Sequence, residues 1–115
     1  MNAYIEAQLD ALGDPTRRAI LRRLLEEPLA VGKLAEAFPV SRPAISQHLR
    51  VLERAGLTVH RSSGTRRVYA VNPAGFNALC EYFDQLWSNA LVAFKNKVEE
   101  DSAKQKHTKR GRRKT

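Results

Sequence analysis

Between Val40 and Leu57 the chain reads VSRPAISQHLRVLERAGL. Placed at about 100° per residue around a helix, Arg42, Pro43, Ser46, Gln47, Arg50 and Arg54 share one arc, and Ala44, Ile45, Leu49, Val51, Leu52 and Ala55 share the opposite one. Guanidinium groups hold phosphate or fork onto a base, while Ser hydroxyls and Gln amides can both donate to and accept from base edges. Such a face suits a helix laid in a major groove. Taken alone, it also suits an ordinary solvated helix.

A second basic group follows directly. After Gly56 the helical period gives way to two extended runs, Leu57 to Arg61 and Arg66 to Val71, rich in Val, Thr and Tyr. Ser62, Ser63, Gly64 and Thr65 between them are turn chemistry, so a β-hairpin is predicted. Arg61, Arg66 and Arg67 flank its tip. A basic hairpin after such a helix is placed to touch phosphate or the adjacent minor groove, although a surface hairpin with incidental arginines fits equally well.

The charge is patterned along the chain. Twenty Lys and Arg against twelve Asp and Glu give a net charge of +8 and a pI near 10.2 over 115 residues, a balance that favours a polyanionic partner. Residues 101–115 hold seven of those cations and one anion. Within the nearly balanced remainder, residues 40–69 hold six arginines and one glutamate.

Several elements must position these groups. Ser41 can cap the central helix, Pro43 fits its first turn, and Gly56 can end it in a left-handed conformation. Upstream, Ile5, Leu9 and Leu12 predict a short amphipathic helix closed by Gly13. Asp14 and Pro15 then open a second helix that buries Ala19, Ile20, Leu21 and Leu24 and leaves Arg17, Arg18, Arg22 and Arg23 in water. A third helix over Val31 to Phe38, entered at Ala30 without a capping side chain, buries Val31, Leu34, Ala35 and Phe38 before Pro39 stops it. Two helices joined by a turn of about three residues make a helix-turn-helix.

Pro73 opens the last helix, expected to run to about Glu100. Phe76, Leu79, Cys80, Phe83, Leu86, Trp87, Ala90, Leu91, Phe94 and Val98 lie on one arc of about 140°, interrupted only by Lys97. That stripe exceeds what a domain of this size can cover, and the same helix of a second copy is its expected cover, packed with the first helix around a two-fold axis. A ligand groove or membrane surface fits less well, because Glu81, Asp84, Lys95 and Glu99 opposite it give no basic excess. Ile5, Leu9, Phe83, Trp87, Leu91 and Phe94 are therefore the expected dimer contacts. Residues 1–100 form one domain in this reading, and 101–115 a disordered basic tail that lies along phosphate or only adds solubility.

Other chemistry finds little support. His48 falls on the apolar arc and is expected as a core histidine bonded to backbone. Cys80 sits within the stripe as a buried thiol, and catalysis by it with His48 or His60 would need side chains from three separate elements. A single cysteine allows no internal disulfide, and neither a membrane span nor a signal peptide is evident. A reducing cytoplasm is the expected setting, with no enzymatic activity and no cofactor.

The order ALGDPTRRAILRRLL, LAEAFPVSRPAISQHLRVLERAGL, RSSGTRRVYAV and a Trp-containing terminal helix resembles the ArsR-type winged helix-turn-helix repressors over residues 4–100. It is most similar to their branch without metal ligands, the SdpR-like autorepressors. The resemblance implies a mainly α fold with one β-hairpin, in the order α-α-α-α-β-β-α. It also implies a dimeric bacterial regulator joined through its first and last helices, and DNA contacts by Arg42, Pro43, Ser46, Gln47, Arg50 and the wing arginines. Metal-sensing members carry a cysteine pair in the first motif helix or Asp and His between terminal helices. Here VGKLAEAF has neither Cys nor His, and Phe76 to Val98 has no His, so no metal is expected.

Two functions fit these residues: a dimeric, sequence-specific repressor at an inverted-repeat operator, or an architectural, nonspecific DNA binder led by the tail. A winged helix used only to bind proteins is a third. The operator, the regulated genes and any effector are not written in the sequence.

Overall fold

The computed structural model describes residues 3–112, with side chains described as far as Lys104. Two units divide the chain, one ending at Cys80 and the other beginning at Glu81.

In the first unit, α1 (Ala3–Ala11) is followed by α2 (Pro15–Glu26), whose entry is fixed by Asp14. The Asp14 carboxylate accepts from the backbone N–H groups of Thr16 at 2.8 Å and Arg17 at 3.0 Å, and the Arg17 bond is the main reason its pKa lies below the usual carboxylate value. Arg17 is not simply wet, as its place on α2 suggested. Its Nε donates to the Ala11 carbonyl at 2.7 Å, and Arg18 donates to Leu12 at 2.8 Å, so both close carbonyls that the end of α1 leaves open. α1 buries Ile5 and packs Leu9, with Leu12 just beyond it, against the core as expected, and it buries Gln8 and Ala11 as well. The Gln8 amide donates to the Gly75 carbonyl at 3.0 Å.

The motif helices are α3 (Val31–Ala37) and α4 (Arg42–Arg54). Ala30 gives α3 no side-chain cap, as expected, whereas the Ser41 hydroxyl accepts from Ala44 N–H at 3.2 Å at the start of α4. The exit of α4 rests on Gly56, at φ +78°, where a Cβ would run into the Tyr4 hydroxyl. Leu57 N–H reaches the Leu52 carbonyl at 3.0 Å and Gly56 N–H that of Glu53 at 2.9 Å, and Leu52 and Leu57 are both fully buried. This is a Schellman ending with its apolar contact.

The hairpin joins β2 (Thr58–Ser63) to β3 (Arg66–Val71) through Gly64 and Thr65 alone. Both serines expected in the turn are strand residues, because Gly64 at φ +65° supplies the tight two-residue reversal. A third strand, β1 (Leu29–Ala30), was not predicted. It pairs antiparallel with β3, Leu29 opposite Tyr69 and Ala30 opposite Val68, and gives the order β1-β3-β2. Two residues are too few to show an alternating pattern.

Ile20, Leu34, Ile45, Leu49, Leu52 and Leu57 are fully excluded from solvent, and Tyr69 and Leu79 close the same core. α5 (Pro73–Arg112) begins here, and Leu79 is its buried contribution to the first unit.

From Glu81 the helix forms the second unit. It passes the expected end near Glu100, where the apolar stripe stops at Val98. Lys97 and Asp101, 3.6 Å apart across that point, bridge one turn, and Ala103 and Lys104 are good helix formers. The backbone of the tail expected to be disordered from Asp101 is thus helical as far as Arg112, while side chains beyond Lys104, and residues 113–115 altogether, lie outside the described residues. Among the described residues no helix is long and apolar enough to cross a membrane.

Candidate nucleic-acid interface

α4 has two faces with different duties. Ile45, Leu49 and Leu52 anchor it in the core, which fixes its rotation and holds Arg42, Pro43, Gln47, Arg50 and Arg54 exposed. Ser46 is half-buried at their edge. The Arg50 guanidinium does not swing free. Its Nη2 donates to Gln47 Oε1 at 2.9 Å and its Nε to the same oxygen at 3.3 Å.

Beside the first turns of α4, the hairpin tip and the start of α3 enclose a cleft of about 450 Å³. Arg42, Ser46, Arg66 and Arg67 line it, so four of the residues expected to touch DNA converge although about twenty positions separate the two pairs in sequence. Lys33 and Thr65 line it too, and neither was singled out from the sequence. Lys33 lies outside the run that carries the arginines, and only the packing of α3 against the hairpin brings it in. The guanidinium of Arg42 lies across Gly32, 3.8 Å from where a Cβ there would stand. Four cations face a single carboxylate in this cleft, that of Glu36. A charge balance of that kind suits phosphate.

Arg54 and Arg61 are placed elsewhere. Arg54 borders a hollow of about 260 Å³ at the far end of α4 with Ala7, Asp10 and Arg17. Arg61 pairs with Val68 on the hairpin and lines a smaller hollow with Pro28, Val59 and Ala70. Between hairpin and α4, His60 Nδ1 and Glu53 Oε2 stand 2.6 Å apart, and the His60 ring packs against Tyr69 at 5.2 Å between centroids. That pairing ties the root of the hairpin to α4.

His48 lies on the inner side of α4 as expected, but its partner is a side chain. Arg17 Nη1 is 3.5 Å from His48 Nδ1, and since a guanidinium only donates, that nitrogen accepts. Cys80, expected to be buried, is exposed. Among the described residues no three His, Cys, Asp or Glu side chains gather as a metal site.

The second candidate surface is the stripe on α5. Phe83, Leu86, Trp87, Leu91, Phe94 and Val98 are all exposed, Trp87 by 65% and Phe94 by 67%. Leu9, on α1, is half-buried. Ile5, also on α1, differs from them in keeping only 5% of its surface exposed within the single chain.

Residues 12–61 match the family model described as a helix-turn-helix domain. The chain is 50% identical over 91 residues to the HTH-type transcriptional regulator Rv2034 of Mycobacterium tuberculosis, a match covering 79% of this chain and 85% of that one. An ArsR-like transcriptional regulator from Rhodococcus sp. RHA1 superposes with a TM-score of 0.70 at 31% identity, over 82% of this chain and 92% of the other. A homodimeric winged helix-turn-helix DNA-binding domain from Mycobacterium bovis superposes with a TM-score of 0.59 at 25% identity, over 76% and 78%.

Proposed function

The chain belongs to the ArsR family of winged helix-turn-helix transcriptional regulators, and from that premise we propose that it is a dimeric, cytoplasmic repressor of an inverted-repeat operator. The observation that carries this reading is the joining of an exposed Gln and Arg face on α4 to a cleft where Arg42, Arg66, Arg67 and Lys33 meet. The cleft holds the sugar-phosphate backbone and sets the register, while Gln47 and Arg50 read base edges in the major groove. Arg54 and Arg61 are left to flanking phosphate.

One such helix covers only a few base pairs, too few to specify an operator. The apolar stripe of α5 supplies the second copy. Phe83, Trp87, Leu91 and Phe94 fall at spacings of four, four and three, the pattern of a helix that packs along another helix. The homodimeric state of the mycobacterial neighbour supports the same arrangement. Two readers about 34 Å apart then meet half-sites one helical turn apart. Repression follows from occupancy, as the resemblance to ArsR-type repressors implies.

Selection of binding sites from random duplex DNA, followed by titration, tests the reading. An inverted repeat bound at least about 10³-fold more tightly than unrelated DNA is expected, lost on Arg50→Ala without a change in melting temperature. Equal affinity for all sequences would favour the architectural binder.

A further inference from the structure

Gln47 and Arg50 are three residues apart on the exposed face of α4, and one oxygen joins them. Gln47 Oε1 accepts from both Nε and Nη2 of Arg50, at 3.3 and 2.9 Å, which fills its two lone pairs. What remains of the Gln47 side chain is the amide nitrogen, a donor of two hydrogens. Arg50 keeps three of its five N–H groups. Two of these, one each on Nη1 and Nη2, point parallel from the end of the guanidinium, and that fork matches O6 and N7 of guanine.

We propose that Gln47 is a positioning residue for Arg50, and that the two side chains form a donor-only dyad which reads guanine through Arg50 and a neighbouring guanine or thymine through the Gln47 amide. The proposal rests on α4 being the reading helix. A free Gln would pair with adenine, accepting from N6 and donating to N7. Gln47 has no acceptor left for that amine while Arg50 occupies Oε1, and the N6 group of adenine or the N4 group of cytosine would meet a donor. The dyad therefore excludes the base that an isolated Gln favours. It also holds a long side chain in its reading pose before DNA arrives, so less freedom is lost on binding.

The test is to select sites from random duplex DNA with the full chain as wild type, Gln47→Leu, Gln47→Glu and Arg50→Ala, and to titrate single-base variants of the wild-type site with each. All these positions are exposed, and unchanged melting temperatures are expected. For wild type, guanine is expected at the Arg50 base and guanine or thymine beside it. Gln47→Leu should reduce the preference for guanine at the Arg50 base by roughly 5- to 150-fold although Arg50 is intact. Gln47→Glu should restore that guanine, since a carboxylate also accepts from Nε and Nη2, and should move the neighbouring preference to cytosine, whose N4 amine donates. The proposal is overturned if Gln47→Leu changes only its own base position, if it strengthens guanine selection, or if wild type selects an adenine that depends on Gln47. Full retention of affinity and preference by Arg50→Ala would instead show that α4 is not the reader, a separate and distinguishable failure.

Discussion

α4 and the distal part of α5 both carry an apolar stripe at helical spacing, and the chain covers one of them. Ile45, Leu49 and Leu52 are fully buried, whereas Phe83, Trp87 and Phe94 keep 46 to 67% of their surface in water. In α4 the opposite arc is basic and polar, and burial of the stripe decides which way that arc points. In α5 the opposite arc mixes both signs, and the stripe itself is the free surface. A contiguous run of exposed aromatic and aliphatic side chains is unusual on a lone soluble chain and marks an interface. The stripe of α4 serves the fold of one copy, and that of α5 is the surface proposed to join two copies.

The sharpest way to break this contrast is to make the α5 stripe polar. Each of Trp87 and Phe94 contributes roughly 1.5 to 3 kcal/mol when buried, and each occurs twice in a dimer. Trp87→Gln with Phe94→Gln is therefore expected to raise the dimer dissociation constant by at least about four orders of magnitude. Sedimentation at micromolar concentration should show monomers, and specific DNA binding should fall with it although the α4 face is untouched. A stable dimer, or a monomer that binds one half-site as tightly as wild type binds the full repeat, would refute the coupling.

Paired truncations sharpen the contrast at the level of single residues. Leu49→Ala should destabilise the fold by about 2 to 5 kcal/mol in denaturant unfolding, because it opens a cavity in a closed core. Leu91→Ala should weaken self-association while leaving the unfolding of dilute monomer almost unchanged. If the two behaved alike, the stripes would not differ in kind.

Smaller effects separate the cleft from the reading face. Arg66→Ala with Arg67→Ala should reduce affinity for all sequences alike and flatten the plot of log affinity against log salt by about 0.9 for each phosphate that is no longer neutralised. An unchanged slope would remove the hairpin from the DNA. Asp14→Ala should be the mildest. Its carboxyl titrates below the usual range in the folded chain, so its stabilisation is present above the ordinary carboxylate pKa and disappears as pH falls through the lowered folded value. The stability gap between wild type and variant should thus close in acid, as denaturant melts at neutral and acid pH will show.

Most of the frame was legible because its signals are local. Asp14 with Pro15, Ser41 with Pro43, and Gly56 mark helix ends by side-chain chemistry that needs no partner, and all three act as read. What stayed hidden depends on distant residues. β1 exists only because Leu29 and Ala30 meet Tyr69 and Val68, and Lys33 joins the cleft only because α3 packs beside the hairpin. Arg17 looked like a solvated cation and is a cap on the preceding helix. Ile5 follows the apolar period of α1 and is buried within the single chain, and periodicity records that a side is covered, not by which chain.

The central claim is two-fold, major-groove reading by α4, and footprinting the wild-type protein on its selected operator tests it most directly. Hydroxyl radicals map the backbone and dimethyl sulfate the guanine N7 atoms. The account predicts two protected segments related by a dyad, with centres about 34 Å apart and guanine N7 shielded in each. Protection without a dyad, or with every guanine N7 in the site still reactive, would contradict it.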